Sequence, residues 1–517
     1  MFRRPAFFLC LLGASPFGCQ AESVDGSAPG PRSLGLLSLD PRVLPSLEAE
    51  RNRVIIVGAG VAGLTAAVEA RAQGADVVVL ERETDTIGGA ANGASLMLFS
   101  GSSEQEAAGV VDSPDQLMAE WPSFTGGNPS DPWVRYFADH NVPDSHDWLA
   151  GLGVGWSSPF PDPSAGTTPR IHGIAGGGME LIAQLYAQLP NGVVHMGIEA
   201  THIAQDDAGR VIGVDWQDVT SGETGRLTGR ALVVATGGFG WDLDRVRQYR
   251  PDLQDVVLTR ASFEGADGNG LDMLVGLGAA TQNLAAVGLY AHSSRCPDEA
   301  TMEMDVPFLW SVPWVNATGQ RFTDEGVMND FHTAQRIVDG GGQAWMVFDP
   351  QIATEAFDCA PDSAEERWFS ADDAVAAGLA AEGDDLASLG ANLGVDPAAL
   401  TAEVKAYNEA VYQDGGDAWR ATMKGARSVD MPPFYAMPVA VSVAKIFGGV
   451  DVDLDGQVLD TAGHPMPGLY AAGELTGMAG GSLVGDSGFT GSLTAVVLGA
   501  RLAGEHAATD PVHASTR

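Results

Sequence analysis

Residues 319–332, GQRFTDEGVMNDFH, gather an arginine, two aspartates, a glutamate, an asparagine and a histidine into one short run. Within it Asp330 and His332 carry groups that could serve as acid or base, whereas the Asn329 amide cannot deliver a proton. Three further side chains extend the reactive set: His292 in LYAHSSRC, Tyr435 in PPFYAMP, and Lys445 in AKIFGGVDVD, one of only three lysines. Imidazole and phenol can exchange a proton, and an ammonium can hold an anion. Each group also has a structural reading. Asp330 and His332 would sit on a helix surface, His292 in a polar loop, Tyr435 in packing beside Phe434 and the prolines, and Lys445 as a lysine snorkelling to solvent. Arg321 reads as a group that pairs within its own loop, which would make the crowded run a hinge.

The elements that must position these groups begin with RVIIVGAGVAGLTAAVEARAQGADVVVLERE. An apolar strand, Val54 to Val57, runs into Gly58, Gly60 and Gly63 in GxGxxG spacing. The first glycine permits a tight turn, the second lets a pyrophosphate approach the backbone, and the third lets helix and strand pack closely. Amides at the start of the helix, around Val61 and Ala62, then face the phosphates. A second strand, Asp76 to Leu80, ends in Glu81, whose carboxylate can accept hydrogen bonds from ribose hydroxyls, with Arg82 beside it in the same site. Strand, turn, helix, strand and terminal acid in register specify a dinucleotide site in an α/β, Rossmann-like domain.

Later segments say which dinucleotide. TIGGAANGAS brings Gly88 and Gly89, ALVVATGGFG brings Ala235, Thr236 and Gly237 at the end of a buried strand, and GLYAAGE ends in Gly473 and Glu474. GSLTAVVLGARLAGEHA reads as a helix whose first turn, Gly491, Ser492 and Leu493, offers its positive end to a ring system. These segments resemble the FAD-binding segments of the fumarate reductase and 3-ketosteroid dehydrogenase flavoprotein superfamily. The resemblance runs from Arg53 to His506, through DSPDQLM, RIHGIAGGGMELI, EGADGNGLDMLVGLGAA, VNATGQRFTDE and PPFYAMPVA in family order. It implies bound FAD and a split FAD-binding domain at 51–288 and 442–510. It also implies an inserted, smaller α+β cap domain at 289–441 that holds a small-molecule substrate against the flavin, near a turn containing Gly449.

Departures from the family pattern narrow the chemistry. In fumarate reductases an arginine four residues after the glutamate of the RF-x-NE run protonates the substrate; counting from Glu325 gives Asn329. Their His-rich turn before a Gly-Gly pair is replaced by the segment beginning at Lys445, and their carboxylate-clamping arginine before the last helix falls near Ser487. Without those two bidentate arginines the grip on a dicarboxylate is weak. The resemblance then implies ketosteroid-dehydrogenase-like chemistry. Flavin N5 exchanges a hydride with one carbon, a base takes the proton from its neighbour, and hydrogen-bond donors polarise the adjoining carbonyl. The expected protein is an FAD-dependent oxidoreductase that forms or reduces a C=C bond next to a carbonyl, on a steroid-like or other cyclic ketone. Tyr435, Lys445, His292, His332 and Asp330 are its catalytic candidates. The rivals are a reductase of an unsaturated acid and a flavin-binding carrier without turnover. No fused haem or flavin-carrier segment is visible, so a quinone, a separate redox protein or oxygen would exchange the electrons.

Composition bounds the rest. A chain of 517 residues is too long for one ordinary core, and 67 acidic against 28 basic residues, a formal charge of −39, makes nucleic acid a poor partner. The start, MFRRPAFFLCLLGASPFGCQAES, reads as an export signal over 1–21, followed by a linker over 22–50. Two readings stand side by side there, a lipid anchor at Cys19 and plain cleavage near Ala21, both leading to the periplasm or cell envelope. Cys296 and Cys359 could pair in an oxidising compartment or remain separate thiols. No CxxC motif or other metal spacing occurs.

Overall fold

The computed structural model describes residues 51–511 except 91–93, 297–302, 305, 307, 327–330, 355–356, 359–367, 414, 479, 481–482 and 486–487. The expected export signal and linker, Cys19, Asn329, Asp330, Cys359 and Ser487 therefore lie outside the described residues.

Val54, Ile55, Ile56 and Val57 are apolar, all β-branched and buried, as a strand covered on both faces requires. Their strand, Arg53–Val57, lies inside a six-stranded sheet ordered Gln457–Leu459, Pro465–Ala471, Ala231–Val234, Arg53–Val57, Asp76–Glu81, Val194–Met196. All neighbours pair in parallel except the antiparallel edge strand Gln457–Leu459. One sheet thus takes strands from both ends of the chain, which is the split α/β arrangement expected. Helix Val61–Ala72 packs on it beside the last helix, Leu493–Thr509. Small residues let the two approach closely: a Cβ on Gly504 would stand 2.5 Å from the Ala66 carbonyl oxygen.

The inserted region carries its own antiparallel sheet, ordered Trp314–Asn316, Ala344–Phe348, Phe434–Pro438, Ala381–Gly383. Two strands join it to the first region. Val287–Arg295 leads in, Ala440–Ile446 leads out, and they pair with each other antiparallel. The boundaries drawn at 288/289 and 441/442 fall within this ribbon. Helix Phe331–Asp339 lies against its incoming strand. Cys296, one residue past that strand, is disulfide-bonded, and the other three cysteines lie outside the described residues. Among the described residues no helix is long and apolar enough to cross a membrane.

Candidate active site

The GxGxxG turn is built as its spacing requires. Gly58 has φ +102°, and a Cβ there would stand 2.4 Å from the Ala235 carbonyl oxygen. A Cβ on Gly63 would stand 1.8 Å from the Gly58 carbonyl oxygen, so only glycine lets helix and turn meet. Gly60 is different: nothing but the Gly88 carbonyl oxygen, at 3.7 Å, lies near its missing Cβ. That space fronts the N-terminus of Val61–Ala72, which has no side-chain cap. Gly88 bridges to Gly60 and donates its N–H to the Ala59 carbonyl at 3.0 Å, lining the same groove. Glu81 accepts the Ala59 N–H at 2.7 Å and the Glu83 N–H at 2.9 Å, and burial raises its pKa despite those bonds. Two carboxylate oxygens carry about four acceptor directions, so ribose hydroxyls can still be held. Arg82 is turned elsewhere, to Asp267 at 2.7 Å and the Gly265 carbonyl at 3.5 Å. It braces the 265–267 loop.

The groove continues past Ala235, Thr236 and Gly237 to Gly473 and Glu474 at the end of the adjacent strand. A Cβ on Gly473 would meet the Ala62 Cβ at 2.6 Å, which ties this turn to the start of the first helix. Beside these turns, Thr236 Oγ1 and Thr490 Oγ1 are buried without a hydrogen-bond partner. Buried polar atoms are seldom left so, and the polar edges of a bound dinucleotide would satisfy them. The open glycine face, the uncapped helix and these hydroxyls fit FAD.

At the far end of the groove Gly491, Ser492 and Leu493 open the last helix. Ser492 bridges to Met97, and Thr494 Oγ1 donates to the Leu98 carbonyl at 2.9 Å, fixing the helix end to the Leu96–Leu98 strand. Here the structure brings Lys445, and it does not snorkel. Its Nζ donates to Ser492 Oγ at 3.3 Å and lies 5.6 Å from the Phe331 ring centre, 5.7 Å from Tyr290 and 5.8 Å from Phe447. Gly288, opposite Lys445 in the strand ribbon, makes room: a Cβ would come within 2.9 Å of Lys445 Cγ and 3.0 Å of both phenylalanine rings. Burial pushes the Lys445 pKa down to about 8, with Glu474 and Asp162 opposing the shift. Glu474 accepts the Ile446 N–H at 2.8 Å, and burial raises it to about 7. Lys445, Tyr290 and Glu474 lie deep among protein atoms yet each keeps some accessible surface, whereas Phe331 and Phe447 beside them are buried. Gly449 packs against the turn that carries Glu474, where a Cβ would stand 2.1 Å from the Leu475 carbonyl oxygen.

The remaining candidates are distributed differently. Tyr435 lies in the cap sheet, its ring stacked on Phe348 at 5.5 Å and 18°, and burial with Glu382 and Asp372 nearby raises its pKa. Its hydroxyl is hydrogen-bonded to Asp372, so the phenol is both packed and paired. His332 is half-buried as the second residue of Phe331–Asp339, one step around the helix from the ring that faces Lys445. His292 belongs to the incoming ribbon strand, and its side chain, like Asp330, is outside the described residues. The opening run is held internally. Arg321 grips Glu325 by two bonds of 2.6 and 2.8 Å, pairs with Asp417 and covers the Tyr407 ring, while Thr323 bonds Thr333 at 2.7 Å. Tyr290, Phe331, Phe447 and Asp162 were not anticipated. A cavity of about 360 Å³ bounded by Arg210, Tyr470, His506 and Asp510 lies at the opposite end of the last helix, where Asp510 takes bonds of 2.7 Å from Arg210 and 2.9 Å from Tyr470. It is separate from the groups around Lys445.

Comparison with known proteins agrees with this geometry. A family model described as FAD binding domain matches residues 53–487. The chain is 30% identical over 461 residues to "Fumarate reductase (cytochrome)" of Shewanella frigidimarina, covering 88% of this chain and 76% of that one. It is 27% identical over 462 residues to "Urocanate reductase" of Eggerthella lenta, covering 88% and 74%. Among solved structures, 3-ketosteroid delta1-dehydrogenase from Sterolibacterium denitrificans shares the fold, with TM-score 0.71 and 18% identity over 89% of this chain and all of that one.

Proposed function

We propose, given that this chain belongs to the FAD binding domain family and is an FAD-dependent oxidoreductase acting on carbon–carbon double bonds, that its substrate is a cyclic or aromatic-bearing enone rather than a dicarboxylate. One observation carries the reading. The described cation beside the start of the last helix is a single lysine among three aromatic rings, and by the resemblance Asn329 falls at, and Ser487 near, positions where fumarate reductases carry arginines. Such surroundings favour a flat, largely apolar ligand with one polarised oxygen over two carboxylates.

Bound FAD supplies the hydride exchange at its N5. In this reading Lys445 faces the oxygen of the substrate or of the cofactor, and Phe331 and Phe447 exclude water from that end. Tyr290, which burial keeps protonated, exchanges the proton on the adjoining carbon. His292, His332 and Asp330 remain the alternatives for that step. The protein works after export, in the periplasm or envelope, and passes electrons to or from a quinone, a separate redox protein or oxygen.

A second reading, reduction of an unsaturated monocarboxylic acid, is supported by the same ammonium and by the likeness to the urocanate reductase of Eggerthella lenta. The test is anaerobic mixing of the reduced holoprotein with cyclic enones, unsaturated monoacids and fumarate while the flavin band is followed. Reoxidation by the enones is expected. Reoxidation by fumarate alone would overturn the proposal, and reoxidation by monoacids alone would replace it with the second reading.

A further inference from the structure

We propose that Lys445 is a redox-tuning residue: its ammonium and the N-terminus of the Leu493–Thr509 helix together hold the negative charge that the flavin acquires on two-electron reduction. The inference rests on FAD occupying the groove described above and assigns a task to one side chain beside it.

Geometry carries the argument. Lys445 Nζ donates to Ser492 Oγ at 3.3 Å, and Ser492 opens a helix that has no side-chain cap. Two positive ends therefore meet in the interior. Among the described residues no carboxylate forms an ion pair with Lys445. Glu474, from the turn after Pro465–Ala471, and Asp162, from the loop before Pro163–Ala165, act on it only at longer range, and Tyr290 on the paired strand offers its ring face. Burying an ammonium without an ion-pair partner is unfavourable, and placing it at a helix N-terminus adds repulsion. Both penalties fall when an anion lies between them. A second sign of a polar partner expected at this helix end is Thr490 Oγ1, two residues before Ser492, which is buried and has no hydrogen-bond partner.

The balance is simple. Two electrons and one proton entering the cofactor from a reductant leave one net negative charge, and the ammonium neutralises it without forming a bond. Reduction in turn strengthens the hold of Lys445 on its own proton. At a pH above the Lys445 pKa of the oxidised protein the side chain is neutral, so reduction draws an additional proton onto it. The midpoint potential must then fall more steeply with pH in that range.

Potentiometric titration of the FAD-loaded protein, as wild type, Lys445→Met and Lys445→Arg, across the neutral to alkaline range tests this. Lys445→Met is expected to bind reduced relative to oxidised flavin at least tenfold more weakly, a drop of about 30 mV for a two-electron couple. Lys445→Arg should keep the wild-type potential but lose the steepening, because a guanidinium does not titrate there. A Lys445→Met protein that holds FAD at the wild-type potential would refute the proposal, and so would a Lys445→Arg protein with the wild-type inflection. If Lys445→Met does not retain the cofactor, the arginine variant decides alone. A wild type that takes up no FAD would sink the cofactor assignment and this proposal with it, whereas a coloured protein with an unmoved potential sinks this proposal only.

Discussion

Single side chains decide the chemistry here, and they differ in how well the sequence announces them. Lys445 stands out because lysine is rare in the chain and because it precedes a Gly-Gly turn of the flavin-binding pattern. Tyr290 does not, since a tyrosine in an apolar strand looks like core until the partner strand places an ammonium over its ring. Tyr435 draws attention as a phenol in a family segment, and the fold stacks its ring on Phe348 and pairs its hydroxyl with Asp372. On the proposed role of Tyr290 in proton exchange, its replacement by Phe should leave FAD content unchanged and slow double-bond reduction by roughly 10²- to 10⁴-fold in single-turnover mixing. His172 yields a pH prediction of another kind. Its Nδ1–H donates to the Arg170 carbonyl at 2.8 Å, its Nε2 accepts from Ser102 Oγ at 2.8 Å, and burial, with His146 nearby, lowers its pKa to about 4. Between the ordinary histidine value near 6.5 and that point, the unfolded chain binds a proton that the folded one does not. Stability must therefore fall as pH drops through this window, by about 3 kcal/mol in full. Denaturant unfolding of His172→Gln should show a correspondingly flatter acid limb than wild type.

At the scale of elements the first strand, glycine turn, helix and second strand were legible, the strands to within one residue, because close packing and a positive φ leave glycine no substitute. Two substitutions separate packing from binding. Gly63→Ala puts a methyl 1.8 Å from the Gly58 carbonyl oxygen, so it should displace the helix, lowering both thermal stability and FAD occupancy. Gly60→Ala meets only one atom, at 3.7 Å, so the cofactor-free protein should melt as wild type does while FAD affinity, read by fluorescence quenching, drops at least tenfold. Equal melting losses in both variants would remove the distinction. The ribbon joining the two sheet systems was not legible, because the pairing of Val287–Arg295 with Ala440–Ile446 links strands about 150 residues apart, which no local pattern encodes. The run at 319–332 was legible as crowded and as self-pairing for Arg321. Its pairing with Asp417 depends on a contact 96 residues away that no local pattern encodes.

For the whole molecule, the fold and FAD chemistry followed from segments spread over most of the chain, whereas the surroundings of Lys445 did not, because they are assembled from a loop at 162, a strand at 290, a helix at 331 and a strand at 445. Their meeting is a property of the two sheet systems together. The position of the isoalloxazine is tested most directly by a crystal structure of the FAD-loaded protein with a bound cyclic enone. The ring should be found against Ser492 and Lys445, with the ligand stacked on its N5 face among Tyr290, Phe331 and Phe447. A ring placed away from the Ser492 end of the last helix, or an enone bound outside that aromatic wall, would contradict this arrangement.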